Sequence, residues 1–187
     1  MTLELAVVVA STRPSRVGLH VARWVHEVAE GHGGFAARLV DLKEVGLPFL
    51  DEPKHPRLRE YVHEHTRRWS AIVEAADAFV FVTPEYNHGP APALVNAIDA
   101  VFHEWACKPV AFVSYGGVSG GLRAVQMVRL MLVPLKAVAL GDGVVVPFVA
   151  QHVKDGVFVP NEVQAKAAPA MLDELARWAA ALRPLRR

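Results

Sequence analysis

Short apolar runs alternate along the chain with longer segments in which apolar residues recur every three or four positions. The runs have strand length and no polar alternation, so they predict strands that are covered on both faces. The longer segments predict amphipathic helices. Predicted strands cover residues 5–10, 35–42, 78–82, 110–114 and, in two pieces, 137–140 and 144–146. The first predicted helix begins at residue 18, and four more cover residues 58–75, 90–105, 120–132 and 162–182.

This alternation predicts a parallel sheet between two layers of helices. A sheet of five strands favours the flavodoxin-like order 2-1-3-4-5. Without a repeat or a linker, we expect one domain over residues 1–187. Ligands of such sheets bind beyond the carboxyl ends of the strands, where the strand order reverses. The site should therefore lie in the loops after the first, third and fourth strands.

The first loop, residues 10–18, reads "ASTRPSRVG". It places the hydroxyls of Ser11, Thr12 and Ser15, together with Arg13 and Arg16, between a strand and a helix. Hydroxyls, backbone N–H groups, arginine and the positive end of a helix suit a phosphate. A polar turn with a Ser or Thr helix cap is the alternative. The loop matches neither the P-loop nor the dinucleotide-binding pattern, and it has no cysteine nucleophile.

The second loop contains Pro84, Glu85, Tyr86 and Asn87, directly after a predicted buried strand. Its amide, carbonyl and ring groups suit a flat heterocycle with donor and acceptor edges. The alternative is a turn between strand and helix that is capped by Asn87 or His88.

The third loop, residues 114–121, reads "SYGGVSGG" and holds four glycines. Glycines allow the backbone to approach a ligand closely, although they also suit a flexible connection.

Together these motifs resemble the NAD(P)H-dependent FMN reductases, a family that includes quinone, azo-dye and chromate reductases. The similarity lies in Ser11-Thr12-Arg13, Pro84-Glu85-Tyr86-Asn87, Asn96-Ala97-Ile98-Asp99 and Ser114-Tyr115-Gly116-Gly117. The resemblance implies FMN, with its phosphate at Ser11, Arg13, Ser15, Arg16 and Val17. It implies a flavin ring against Pro84, Glu85, Tyr86, Asn87, Ser114, Tyr115, Gly116 and Gly117.

The implied activity passes a hydride from NADPH or NADH to the flavin and then reduces a small acceptor, such as free flavin or a quinone. Because the flavin carries this chemistry, we nominate no acid–base residue. Two alternatives stay open. One is a flavodoxin-type electron carrier without pyridine-nucleotide activity, and the other is a flavin-free binding protein with the same fold.

Composition adds limits on partners and location. The chain is 52% hydrophobic and 21% charged, and its net charge of +1 predicts no bulk attraction to nucleic acid or membrane. One cysteine excludes an internal disulfide. The first apolar run follows Glu4 instead of a basic segment, so we expect no signal peptide and a cytoplasmic protein. We expect no metal site, because His63 and His65 stand two apart and "HEWAC" lacks a second histidine.

The predicted helix over residues 90–105 carries more apolar side chains than packing on a sheet requires. These side chains are Leu94, Ile98, Val101, Phe102 and Trp105. The surplus and the family resemblance predict a homodimer, or a pair of dimers, with the flavin site beside the interface. The alternative is that the Pro-rich stretch of the same chain, residues 47–56, covers the surplus.

Overall fold

The computed structural model describes residues 2–186 as strands and helices in regular alternation. The strands are β1 (Leu3–Val9), β2 (Phe35–Asp41), β3 (Ala78–Tyr86), β4 (Gly89–Pro90), β5 (Pro109–Tyr115), β6 (Val138–Val146), β7 (Val153–Lys154) and β8 (Val157–Phe158). The α-helices are α1 (Gly18–His32), α2 (Leu42–Val45), α3 (Glu64–Ala75), α4 (Pro92–Asp99), α5 (Leu122–Leu132) and α6 (Glu162–Leu182). Short 3₁₀ helices span Pro56–Leu58, His103–Trp105, Val149–His152 and Arg183–Leu185.

Five strands form a parallel sheet in the order β2-β1-β3-β5-β6. Counted along the chain, this is the predicted order 2-1-3-4-5, and the flavodoxin-like class is confirmed. The sheet has one further strand, because β4 pairs antiparallel with the end of β3. The strand order reverses between β1 and β3, which places the carboxyl ends of β1, β3 and β5 side by side.

The two faces of the sheet bury separate apolar cores. Alternate residues of the strands pack on one face against α1 and α6, around side chains such as Val25 and Leu172. On the other face they pack against α3, α4 and α5, around Trp69, Leu94 and Val128. Since both faces are covered, the strands read as continuous apolar runs in the sequence.

β3 extends four residues beyond the predicted strand and turns back on itself in a hairpin. Its last two residues pair with β4, and the turn between them consists of Asn87 and His88, with φ angles of 49° and 69°. Two successive positive φ angles define a type I′ hairpin turn, in which asparagine is favoured. The alternative of a helix cap at Asn87 or His88 is therefore wrong, since the residue before α4 is Ala91.

α4 ends at Asp99, six residues before the predicted end at Trp105. Two indole N–H groups take the last helical carbonyls: Trp69 Nε1 donates to Ala97 O at 2.7 Å and Trp105 Nε1 donates to Ile98 O at 3.2 Å. Carbonyls at a helix end need such partners, and here they are the side chains of Trp105, which follows α4, and of Trp69, which comes from α3. The apolar pattern continues past Asp99 because the following turn is buried, not because it is helical.

α3 begins at Glu64, six residues after the predicted start at Leu58. The carboxylate of Glu52 accepts hydrogen bonds from the backbone N–H groups of Val62 at 2.8 Å and His63 at 3.1 Å. These bonds hold the approach to the helix in an extended form.

The apolar surplus assigned to a subunit interface is buried within the chain. Leu94, Ile98, Val101 and Trp105 are each only 1% exposed. Phe102 packs against the end of the Pro-rich stretch, with the His55 ring 6.2 Å from its ring centre, and the guanidinium of the next residue after the stretch, Arg57, lies 5.2 Å from it. The Pro-rich stretch therefore covers apolar side chains of the same chain, as the alternative interpretation proposed. The surplus of apolar residues in the predicted helix does not indicate a subunit interface.

Candidate functional site

The loops after β1, β3 and β5 enclose one cavity of about 250 Å³ at the carboxyl edge of the sheet. The parallel register brings them together, because Val9 pairs with Val82 and Pro84 pairs with Tyr115. The lining residues are Ser11, Arg13, Ser15, Arg16, Val17, Pro84, Glu85, Tyr86, Tyr115, Gly116 and Val149. Ten of the thirteen residues proposed from the sequence are in this set.

Three proposed residues lie outside the cavity lining. Asn87 is exposed in the hairpin turn. Ser114 is 1% exposed and precedes Tyr115 on β5, so strand alternation directs its side chain to the opposite face of the sheet. Gly117 is exposed, and its carbonyl accepts hydrogen bonds from the N–H groups of Gly120 and Phe148.

Val149 lines the cavity although its sequence position gave no sign of this. The segment after β6 folds back on the third loop, where Val149 N donates to Gly116 O at 3.1 Å and Phe148 N donates to Gly117 O at 3.0 Å. Backbone pairing between two loops leaves no pattern of residue types in the sequence.

Arg16 is the most enclosed cation of the cavity, with a side chain that is 7% exposed. Its Nη2 group donates to the carboxylate of Asp41, at the end of β2. Its Nε and Nη1 atoms are buried and have no hydrogen-bond partner among the described residues. An unpaired buried donor is unfavourable, so these atoms suit an anionic ligand in the cavity. Arg13, by contrast, is exposed.

Four residues that line the cavity carry hydroxyl groups: Ser11, Ser15, Tyr86 and Tyr115. The hydroxyls of Ser11 and Tyr86 are hydrogen bonded at 2.8 Å. The Tyr115 hydroxyl is buried and has no partner with hydrogen-bond geometry within residues 2–186, although the Ser11 hydroxyl is close enough to act on its pKa. Burial is the main cause that raises the pKa of Tyr115, so this phenol stays protonated and is a hydrogen-bond donor at neutral pH.

The carboxylate of Glu85 is turned toward α5. It accepts hydrogen bonds from Arg123 N at 3.1 Å and Arg123 Nε at 2.7 Å. Burial opposes the charged form of Glu85, but hydrogen bonds from Arg123 and Ser119 outweigh it and lower the pKa of this carboxyl. Glu85 therefore fixes the first turn of α5 beside the third loop, and it is not a free base in the cavity.

A larger cavity of about 420 Å³ lies between α2 and α4, with Thr12 in its wall. Its other walls are mostly apolar, including Leu47, Pro48 and Phe49. The amide of Asn96 is already bound there to Pro48 O and Leu50 N. The smaller cavity, with its unpartnered donors, has the chemistry that a charged ligand needs.

Within residues 2–186, no three or more His, Cys, Asp or Glu side chains form a group that could bind a metal ion. No helix in that range has the length and hydropathy needed to cross a membrane.

The fold and this cavity define a flavodoxin-like α/β protein with a polar cavity at the point where the strand order of its sheet reverses. Residues 3–151 match the family model described as NADPH-dependent FMN reductase. The chain therefore belongs to the NADPH-dependent FMN reductase family.

Similar proteins agree with this assignment. An NAD(P)H-dependent FMN reductase of Schizosaccharomyces pombe is 40% identical over 129 residues, which is 68% of this chain and 64% of that protein. One of Saccharomyces cerevisiae is 36% identical over 150 residues, covering 74% and 78% of the two chains. This chain thus spans slightly less than two thirds of the fission-yeast relative.

A solved structure shares the fold. The flavoenzyme NAD(P)H:(acceptor) oxidoreductase FerB of Paracoccus denitrificans superimposes with a TM-score of 0.76 over 96% of this chain and 98% of its own. At 24% identity this similarity establishes the fold alone.

Proposed function

We propose that this protein is an FMN-dependent NAD(P)H oxidoreductase that reduces a small acceptor. The observation that carries the proposal is the cavity at the switch point, where buried donors of Arg16 and Tyr115 have no partner among residues 2–186. FMN brings both a phosphate for such donors and a flat ring for the loops around them. When bound, FMN supplies the redox chemistry, because it accepts two electrons from a nicotinamide and passes them on.

The first loop would hold the phosphate of FMN. Arg16 supplies a guanidinium that Asp41 orients, and α1 supplies a helix N-terminus without a side-chain cap. Ser11, Ser15 and Arg13 lie on the same side of the cavity. Charge, hydroxyls and free N–H groups together favour a phosphate dianion.

The second and third loops would border the flavin ring. Pro84, Glu85, Tyr86 and Gly116 line the cavity, and the pair of Glu85 with Arg123 ties the second loop to the start of α5, directly after the third loop. With Glu85 engaged in this way, the chain's contribution is binding and orientation of the reactants. This agrees with the absence of any nominated acid–base residue.

We expect the protein to bind one FMN per chain, with an affinity at least tenfold higher than for riboflavin. We also expect it to oxidise NADPH or NADH steadily when an acceptor is present. Riboflavin lacks only the phosphate, and each charge-assisted phosphate contact is worth roughly 1.5–3 kcal/mol. Fluorescence titration with the two flavins measures the preference, and absorbance at the nicotinamide band measures turnover.

Each alternative has its own outcome in this experiment. FMN binding without nicotinamide oxidation would identify an electron carrier, for which the net charge of +1 is already unusual. Binding of neither flavin would identify a different ligand for the cavity.

We also propose a homodimer or a pair of dimers, at a surface other than the one first expected. α5 and its C-cap residue expose Met127, Leu130 and Val133, which are 50%, 74% and 69% exposed and recur every three residues. Met127 lies beside the hairpin, 3.9 Å from the position that a Cβ atom on Gly89 would take. An exposed apolar stripe next to the site is a suitable subunit interface.

A cytoplasmic location remains a prediction, supported by the single cysteine.

We expect Leu130→Glu to convert the oligomer to monomers at micromolar concentration, because it places a charge in the centre of this stripe. Sedimentation velocity measures the change. Val163→Glu is the matched control, since Val163 is 75% exposed at the start of α6, a helix that packs on the opposite face of the sheet. If Leu130→Glu sediments like the wild-type protein, the interface lies elsewhere.

A further inference from the structure

Tyr115 occupies an unusual position for a residue at the carboxyl end of a central strand. Its side chain is directed across the sheet toward α1 and is 4% exposed. Its hydroxyl lies 2.1 Å from the point where a Cβ atom on Gly18 would stand. Gly18 is the first residue of α1. The absence of a side chain at Gly18 therefore makes room for the phenol at the N-terminus of a 15-residue helix.

The groups around this hydroxyl all favour an anion. The N-cap residue Val17 makes no side-chain cap, and the first turn of α1 has no acidic residue. Burial raises the pKa of the Tyr115 phenol, while Ser11, Arg16 and Arg13 are close enough to oppose this shift. Arg16 lines the same cavity, and two of its nitrogen atoms are buried without a partner among residues 2–186. A protonated phenol, a guanidinium and a helix N-terminus thus converge on one place.

We propose that the Tyr115 hydroxyl binds the phosphate group of the flavin cofactor, and that Gly18 is required because it leaves space for this hydroxyl. The resemblance placed Tyr115 beside the flavin ring, whereas its side chain reaches the phosphate-binding loop. This inference rests on the proposed function. It makes Tyr115 a residue that determines specificity for FMN over flavins without a phosphate.

A purely structural role for Tyr115 makes a different prediction. A phenol that only fills the core would affect both flavins equally, because its hydroxyl would touch neither. The effect on riboflavin therefore separates the two roles. Tyr115→Phe suits this comparison, since it removes one oxygen atom and keeps the packing of the ring.

We expect Tyr115→Phe to weaken FMN binding about tenfold and to change riboflavin binding less than twofold, because one hydrogen bond to a charged group is lost. The titrations use protein freed of flavin and follow flavin fluorescence. Inorganic phosphate should compete with FMN in the wild-type protein and compete less well in the variant. Tyr61→Phe is the matched control, since Tyr61 donates to Glu104 away from the cavity. It should leave both affinities unchanged.

Gly18→Ala provides the second test, because its new methyl group would collide with the Tyr115 hydroxyl. We expect a loss of FMN affinity similar to that of Tyr115→Phe, with the helix content retained in circular dichroism. Equal losses for FMN and riboflavin in Tyr115→Phe, or no loss for either, would overturn the inference. A wild-type protein that binds neither flavin would instead overturn the proposed function, so the two failures are distinct.

Discussion

Replacing Arg16 by methionine is expected to weaken FMN binding about a hundredfold. The guanidinium has two nitrogen atoms, Nε and Nη1, that are buried in the cavity without a partner among residues 2–186. Two charge-assisted hydrogen bonds at the lower end of roughly 1.5–3 kcal/mol each give about 3 kcal/mol, or a factor of a hundred. Titration with FMN and riboflavin measures the loss, which should be confined to FMN.

The partner of Arg16 complicates this substitution and requires a control. Asp41 is 13% exposed and would lose its ion pair, which destabilises the fold independently of any ligand. The double variant Arg16→Met/Asp41→Asn removes the stranded charge and should show the same loss of FMN affinity with a smaller loss of stability. If the double variant binds FMN as the wild type does, Arg16 serves only the ion pair.

Arg13 offers a comparison within the same loop. It is exposed, so its contact with a phosphate would be weakened by solvent and side-chain freedom. We expect Arg13→Ala to weaken FMN binding about tenfold while the fold stays intact. A larger loss at Arg13 than at Arg16 would move the phosphate to the outer part of the loop.

Local patterns were sufficient to predict the order of elements and most of the cavity. Buried parallel strands read as apolar runs, and α6 begins and ends where its apolar pattern predicts. Polar loops at the carboxyl ends of β1, β3 and β5 must meet, because parallel strands share one edge of the sheet. This geometry predicts that Ser11, Tyr86 and Gly116 lie together, and all three line the cavity.

The remaining features depend on contacts between distant parts of the chain. α4 ends early because Trp69 and Trp105 bind its last carbonyls, and Val149 reaches the cavity through backbone bonds. Apolar residues after Asp99 are buried in a turn, and periodicity cannot distinguish this from a longer helix. The direction of the Tyr115 side chain follows from the register in which β5 pairs with β3, and a shift of that register by one residue would reverse it.

At the amino ends of the strands, directly before β5, Lys108 is a buried lysine with an unusual environment. It is 4% exposed, and its Nζ donates to the carbonyls of Val73 at 2.7 Å and Glu74 at 2.8 Å, at the end of α3. A cation suits the C-terminus of a helix, but its removal from water is unfavourable.

The burial of Lys108 has the largest influence on its pKa and lowers it to about 8. The carboxylates of Glu74, Asp77 and Glu104 oppose this shift, while Arg186 adds to it. In the unfolded chain, a lysine keeps its proton to a pH near 10.4. Between these two values the unfolded state binds more protons than the folded state, so the free energy of unfolding contributed by Lys108 rises with pH.

We therefore expect the free energy of unfolding of the wild-type protein, relative to that of Lys108→Met, to rise by about 2–3 kcal/mol between pH 7 and pH 10. Denaturant titrations at several pH values measure this difference, in which the contributions of other groups cancel. Lys166→Met is the control, because Lys166 is exposed on α6 and should give a difference that does not change with pH. A constant difference for Lys108→Met would mean that this ammonium is as well stabilised in the fold as in water. The hydrogen bonds to Val73 and Glu74 would then fully offset its burial.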